Sequence, residues 1–162
     1  MIDWVELFIG IPSQIATILI AMIPIGELRG ALPIALGPYS LPLWQAYPLA
    51  VLGNMIPVFF ILWLFGPVSE WLRQWKIFNR FFDWLFERTR KKFYDKHKKW
   101  GDLALVLFVA IPLPVTGAWT GSLAAWLFGI PKKKALPLIF SGVLIAGVIV
   151  SAISLGALKI FF

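Results

Sequence analysis

The sequence predicts an all-α integral membrane protein. Two inverted repeats, each a re-entrant helical hairpin followed by a transmembrane helix, are joined by an amphipathic cytoplasmic helix. Three observations predict it. The 162 residues are 60% hydrophobic and 14% charged, against roughly 45–50% and about 25% in soluble domains. Four apolar regions divide the chain, and two of them are broken by dense proline and glycine. The two halves carry the same breakers in the same order.

Composition narrows the class first. A chain this short cannot bury so much apolar surface in a water-facing core, so the excess has to face lipid. The net charge is +7. Nucleic acid is not the expected partner, because the basic residues lie between apolar segments rather than on a soluble basic face. Cysteine is absent and there is one histidine, so no disulfide, metal site or cofactor is expected. His97 sits in a basic run and reads as a solvated side chain. No HExxH, GxSxG or Walker-type loop occurs, which argues against an enzyme and against nucleotide-driven pumping. Asp3 and Glu6 stand where a signal peptide would carry basic residues, so none is expected.

The first apolar region runs from Val5 to Leu36 and breaks at PIGELRGALP, residues 24–33. Pro24, Gly26, Gly30 and Pro33 fall there together with Glu27 and Arg29. Proline removes a backbone donor and glycine weakens a helix, so the segment should unwind. About ten apolar residues flank the break on each side. At 1.5 Å per residue each arm reaches roughly 15 Å, half the hydrocarbon core. The hairpin reading competes with a proline-kinked span, which membranes tolerate. The second region, about Ala46 to Phe65, matches the ~20 residues of a plain span.

Between the halves, Trp71, Trp75, Phe78, Phe82 and Leu85 recur at helical spacing, with charged residues between them. This connector, about residues 68–100, reads as a helix on the membrane surface whose basic tail meets anionic headgroups. The third region runs from Leu103 to Phe128 and breaks at Pro112-Leu113-Pro114 and again near Gly117 and Gly121. The fourth, Ala135 to Leu158, is a plain span.

Pro42, Ala46, Pro48, Leu49 and Gly53 recur 89 residues later as Pro131, Ala135, Pro137, Leu138 and Gly142. Ile23-Pro24 recurs after 88 residues as Ile111-Pro112, and Gly26 and Gly30 after 91 as Gly117 and Gly121. Repeat 1 covers about residues 5–67 and repeat 2 about 101–160, within one membrane domain. If each broken segment returns to its own side, the repeats are inverted. Of the 15 Lys and Arg, ten lie between Arg73 and Lys99 and three are Lys132, Lys133 and Lys134. Inversion puts both groups on the cytoplasmic side, as basic loops prefer, with both termini outside a prokaryotic inner membrane. Inverted repeats with broken helices at mid-depth are a recurring transporter design.

Glu6 apart, at the edge of the first region, Glu27 and Arg29 are the only charges inside the apolar segments proper. Such charges are costly and mark a pathway or a pair. Desolvation favours the neutral acid at Glu27, and Arg29 favours the carboxylate. One outcome makes Glu27 a proton carrier, the other a fixed counter-ion. The second tip, IPLPVTGAWTG, has no charge. Thr116 and Thr120 offer hydroxyls, Trp119 an enclosing ring, and a half-helix N-terminus attracts anions. Asn54 beside Gly53 suits an interhelical bond. Close glycines at both tips suit two hairpins in contact.

PIGELRGALPIALG and IPLPVTGAWTG, with the short length, resemble the small multidrug export proteins of bacteria and archaea over nearly the whole chain. That family is similar, distantly, to the DedA and VTT-domain membrane proteins. The resemblance implies two opposed re-entrant loops, proton-dependent transport and lipid translocation, with Glu27 at the acidic position of the first hairpin. DedA-type proteins carry arginines around the second hairpin; Thr116, Trp119 and Thr120 stand here instead, so that phosphate grip does not transfer. The first expectation is proton-linked translocation of an amphipathic anion such as a lipid phosphate. The alternatives are export of hydrophobic cations, passive lipid scrambling, and a non-transporting membrane-shaping scaffold. Expected partners are lipids, a small amphipathic substrate and protons. Two spans and two hairpins enclose little space, which leaves a homodimer open.

Overall fold

The structure is a computed structural model and describes residues 8, 10–72, 101–112 and 116–161. Among the described residues six helices form and no strand occurs. They are α1 Ser13–Met22, α2 Glu27–Leu36, α3 Leu43–Leu72, α4 Gly101–Ala110, α5 Ala118–Leu127 and α6 Lys132–Phe161. The surface helix expected over the connector lies outside the described residues from 73 to 100, as does Pro114.

The four short helices have ten residues each, about 15 Å at 1.5 Å per residue. α3 and α6 have 30 residues each. Both are apolar over 26 residues, Leu43–Val68 and Lys132–Ala157, about 39 Å and long enough to cross a bilayer. They begin three residues earlier than the plain apolar regions suggest, directly after Pro42 and Pro131, since proline suits the start of a helix. Helix α3 continues through Pro48, Pro57 and Pro67. Neighbouring helices can offset the cost of such prolines within a bilayer.

The breaks are narrower than the breakers suggest: of residues 24–33 only those up to Gly26 leave the helix, and Glu27, Arg29, Gly30 and Pro33 lie within α2, as Gly121 lies within α5. Helix α1 ends at Met22, and Ile23 to Gly26 turn the chain into α2. Glu27 has φ +45°, a left-handed value rare for a residue with a Cβ. Its N–H still donates to the Ile23 carbonyl at 2.8 Å. In the second half, α4 ends at Ala110 and Gly117 precedes α5.

Packing follows one scheme in both halves. α1 lies against α2 and α3; α4 lies against α5 and α6. Each second arm also meets the long helix of the other half, α2 on α6 and α5 on α3, and the two long helices touch. Glycines permit the closest approaches. A Cβ on Gly53 would come within 2.5 Å of the Ile18 carbonyl and 2.8 Å of the Ala21 Cβ. A Cβ on Gly142 would come within 2.9 Å of the Val106 carbonyl and 2.7 Å of the Val109 Cβ. Gly142 follows Gly53 by 89 residues, and Val106 and Val109 follow Ile18 and Ala21 by 88. The same contact thus recurs in each half.

The core is built from small and branched residues. Ala21, Ala31, Ala35, Ala46, Ala118, Ala125 and Ala135 are buried with Ile20, Leu28, Leu32, Val58, Val109, Ile139 and Val143. Small side chains let backbones close up, which is how helices gain dispersion energy where lipid removes the hydrophobic drive. The outer faces carry exposed Leu52, Phe59, Phe60 and Trp63 on α3 and Phe140, Ile145, Val148 and Ile153 on α6. An apolar surface of that extent needs an apolar surrounding. One end is stapled by Lys134 to Asp102 at 2.6 Å. There Lys132 also lies over the Trp63 ring at 5.4 Å, and Phe65 meets Trp126 edge-on at 4.8 Å.

Candidate functional site

The turn between α1 and α2 and the start of α5 meet. Between them lies a cavity of about 350 Å³, lined by Pro24, Ile25, Gly26, Glu27 and Arg29 from the first half and Thr116, Trp119 and Thr120 from the second. Residues 92 positions apart in the chain are thereby in contact.

Glu27 is placed by the turn as the first residue of α2, and it points across to the other half. The backbone N–H of Trp119 donates to its Oε1 at 3.4 Å. Trp119 belongs to the first turn of α5, where amide donors lack helical partners and the helix dipole favours negative charge. The residue preceding α5 is Gly117, which has no side chain to cap with. Its missing Cβ is what admits the carboxylate: a Cβ there would overlap Glu27 Oε2 and lie 2.7 Å from Cδ and 2.8 Å from Oε1. Glu27 therefore acts as the cap of a helix in the opposite half.

The favour is returned by Trp119. Its indole N–H donates to the Met22 carbonyl at 3.1 Å, at the C-terminus of α1, where carbonyls lack helical donors. The start of α5 and the end of α1 are thus each served from the other half of the chain.

Arg29 completes the cluster. Its Nη2 is 3.8 Å from Glu27 Oε2 and donates to Thr116 Oγ1 at 3.4 Å. The Thr116 hydroxyl in turn donates to the Ile111 carbonyl at 2.8 Å, which holds it at the end of α4. Thr120 donates to the Gly117 carbonyl at 3.3 Å. The Arg29 side chain is 24% exposed and that of Glu27 10%. Both charges line the cavity, and the carboxylate is also held at the start of α5. Ile25 at the rim is 78% exposed and adds an apolar contact beside the guanidinium.

Other expected residues lie elsewhere or serve otherwise. Asn54 is buried in α3, away from the cavity lining, and its Oδ1 has no hydrogen-bond partner among the described residues. Gly26 and Gly121 bring together the arms of their own halves: a Cβ would meet the Ile20 carbonyl at 2.8 Å and the Val109 Cγ2 at 2.5 Å, respectively. Gly30 has its nearest such neighbour at 4.0 Å. Gly117 alone of these four glycines serves the contact between halves. Pro24 lines the cavity and Pro112 ends the α4 segment. Among the described residues no cluster of His, Cys, Asp or Glu suits a metal ion.

Sequence inspection missed the two backbone partners, the Trp119 amide and the Met22 carbonyl, because backbone groups carry no residue-type signal. It also missed Tyr47, whose hydroxyl donates to the Leu144 carbonyl at 2.9 Å and ties α3 to α6.

The family model described as "Putative small multi-drug export protein" matches residues 27–149. No curated protein and no solved structure matches the chain. The matched range starts at Glu27 and takes in every second-half residue that lines the cavity.

Proposed function

We propose, starting from the chain's membership of the small multi-drug export protein family, that it is a proton-linked membrane transporter of amphipathic anions. In this reading the two broken segments are re-entrant, the repeats are inverted, and the transport site is the cavity where the tips meet at mid-depth. Support for inversion comes from the two recurring glycine contacts and from the exchange of helix-end caps between halves. Half-length helices that meet at their broken ends suit arms that enter from opposite faces.

The observation that carries the reading is the charged pair in the cavity. Intramembrane charges are expensive and mark pathways. Glu27 is spent on the α5 end, while Arg29 shows its guanidinium to the cavity beside two hydroxyls and Ile25. That combination suits an oxyanion carried on an apolar body. Glu27 is the proton acceptor, and its protonation loosens the cap that joins the tips.

A second reading is favoured by the family description, since multi-drug exporters act on varied apolar solutes. Here Glu27 swings into the cavity as counter-ion to a hydrophobic cation, and Trp119 adds a cation–π face. Proteoliposomes with an imposed pH gradient separate the two. Anion uptake that follows the gradient, and that is lost in Glu27→Gln, supports the first. Cation transport with Arg29→Gln fully active supports the second. A Glu27→Gln protein that transports at the wild-type rate from acid to neutral pH overturns the proton role in both.

A further inference from the structure

We infer that the Glu27 carboxylate is an internal occupant of the oxyanion seat, and that the solute's own oxyanion must displace it to bind. This rests on the transporter reading above and specifies how proton and solute are linked at that site.

The argument is one of shared partners. A carboxylate in the cavity finds three groups directed at it: the Trp119 amide, the Arg29 guanidinium and the Cβ-free face of Gly117. Thr116 steadies the guanidinium. These are the groups that a sulfonate, phosphate or carboxylate on a solute would use, and a helix start with an arginine is a common oxyanion receptor. Glu27 fills the seat so closely that Gly117 has no room for a methyl group. Two oxyanions do not fit there.

The cavity offers the solute's apolar body a place beside the seat. Its walls are Ile25, Pro24 and the Trp119 ring, which suit an apolar body, and Arg29 stands at the boundary with the carboxylate. Among the described residues that line the cavity, Glu27 and Arg29 are the only charged or titratable groups. A displaced Glu27 therefore meets no second cation in this lining. In an apolar setting it takes up a proton, because an unpaired buried carboxylate is costlier than the neutral acid. Solute and ionised Glu27 are then mutually exclusive, and one proton is taken up for each anion bound. Linkage makes the effect reciprocal: anion binding strengthens as pH falls through the range in which free Glu27 is ionised.

The test uses the full chain in an uncharged detergent and hexanesulfonate, a fixed monoanion that cannot itself take up a proton. Calorimetric titration in two buffers of different protonation enthalpy gives affinity and proton uptake together. Wild type should take up protons on binding, approaching one per anion. Glu27→Gln should bind roughly tenfold tighter, since a competitor for charge-assisted bonds is gone, with no proton uptake and no pH dependence. Arg29→Gln should show no binding. If Glu27→Gln is not monodisperse, Glu27→Asp, one methylene shorter and unable to reach the seat, should also bind tighter than wild type. Equal affinity and equal proton uptake in wild type and the Glu27 variants overturn the inference. Binding of hexyltrimethylammonium but not hexanesulfonate overturns it too, while leaving a cation exporter standing. Loss of the pH dependence of transport in Glu27→Gln without tighter anion binding overturns the exchange but retains the proton role.

Discussion

Gly117→Ala is the substitution whose outcome the geometry fixes most tightly. The added methyl carbon overlaps Glu27 Oε2 and crowds Cδ and Oε1 at 2.7 and 2.8 Å. Rotating the carboxyl plane does not clear three atoms at once, so the whole group must withdraw. The charge-assisted bond from Trp119 is then lost. Such bonds contribute about 1.5–3 kcal/mol at good geometry, and at 3.4 Å the lower part of that range applies. Gly117 also has φ +158° and ψ −166°, a region occupied almost only by glycine and costing of order 1–3 kcal/mol otherwise. The total is about 2–4 kcal/mol, a fall of roughly 5–15 °C in melting temperature for a chain of this size. Thermal unfolding in detergent measures it. A double-mutant cycle with Glu27→Ala isolates the collision: without the carboxylate, Gly117→Ala should cost only its backbone strain, so the two losses fall short of additivity. Gly30→Ala serves as control, since its new methyl has only the Ile20 side chain at 4.0 Å and gains helix propensity of about 0.5–1 kcal/mol. A Gly117→Ala protein as stable as wild type, or a cycle that adds strictly, would refute the seating of Glu27 against Gly117.

Three further outcomes are expected in the same unfolding assay. Gly53→Ala and Gly142→Ala should each destabilise by about 1–3 kcal/mol through overpacking, while Gly156→Ala, with nothing within 4 Å, should change little. Equal tolerance at all three positions would mean that the long helices do not approach the first arms as closely as described. Tyr47→Phe should cost roughly 0.5–1 kcal/mol for one hydrogen bond to Leu144, and no loss would place the hydroxyl elsewhere. Asn54→Leu should leave the melting temperature unchanged or raised, since an unpaired buried amide oxygen is replaced by apolar volume; a large fall would show that the oxygen has a partner.

The breaks, the long helices and the recurring residues were legible in the sequence, because local chemistry decides them. Pro24 and Gly26 fall between α1 and α2, and Pro112 and Gly117 between α4 and α5. Single prolines carried a weaker signal: Pro48, Pro57 and Pro67 sit inside α3 without ending it, since in an apolar region the surroundings decide whether a lost bond matters. The cavity was half legible. Glu27 and Arg29 stood out by charge, and Thr116, Trp119 and Thr120 by position on the second tip. What stayed hidden was direction. Nothing in the sequence says that Glu27 turns away from open space and into the start of α5, or that Trp119 caps α1 with its ring while its amide holds Glu27. Those pairings depend on the three-dimensional approach of residues about 90 positions apart. Gly26, Gly30, Gly117 and Gly121 look alike as spaced pairs, yet the neighbour each one meets differs.

Topology tests the central claim most directly. The chain has no cysteine, and Ser40, just before α3, and Lys133, in the first turn of α6, are both exposed. Single cysteines at these positions can be labelled with an impermeant reagent in intact cells and in broken membranes. The inverted arrangement predicts that position 40 reacts from outside and position 133 only after lysis. Reaction of both from the same side would make at least one broken segment a full span, and the account of two tips meeting at mid-depth would be wrong.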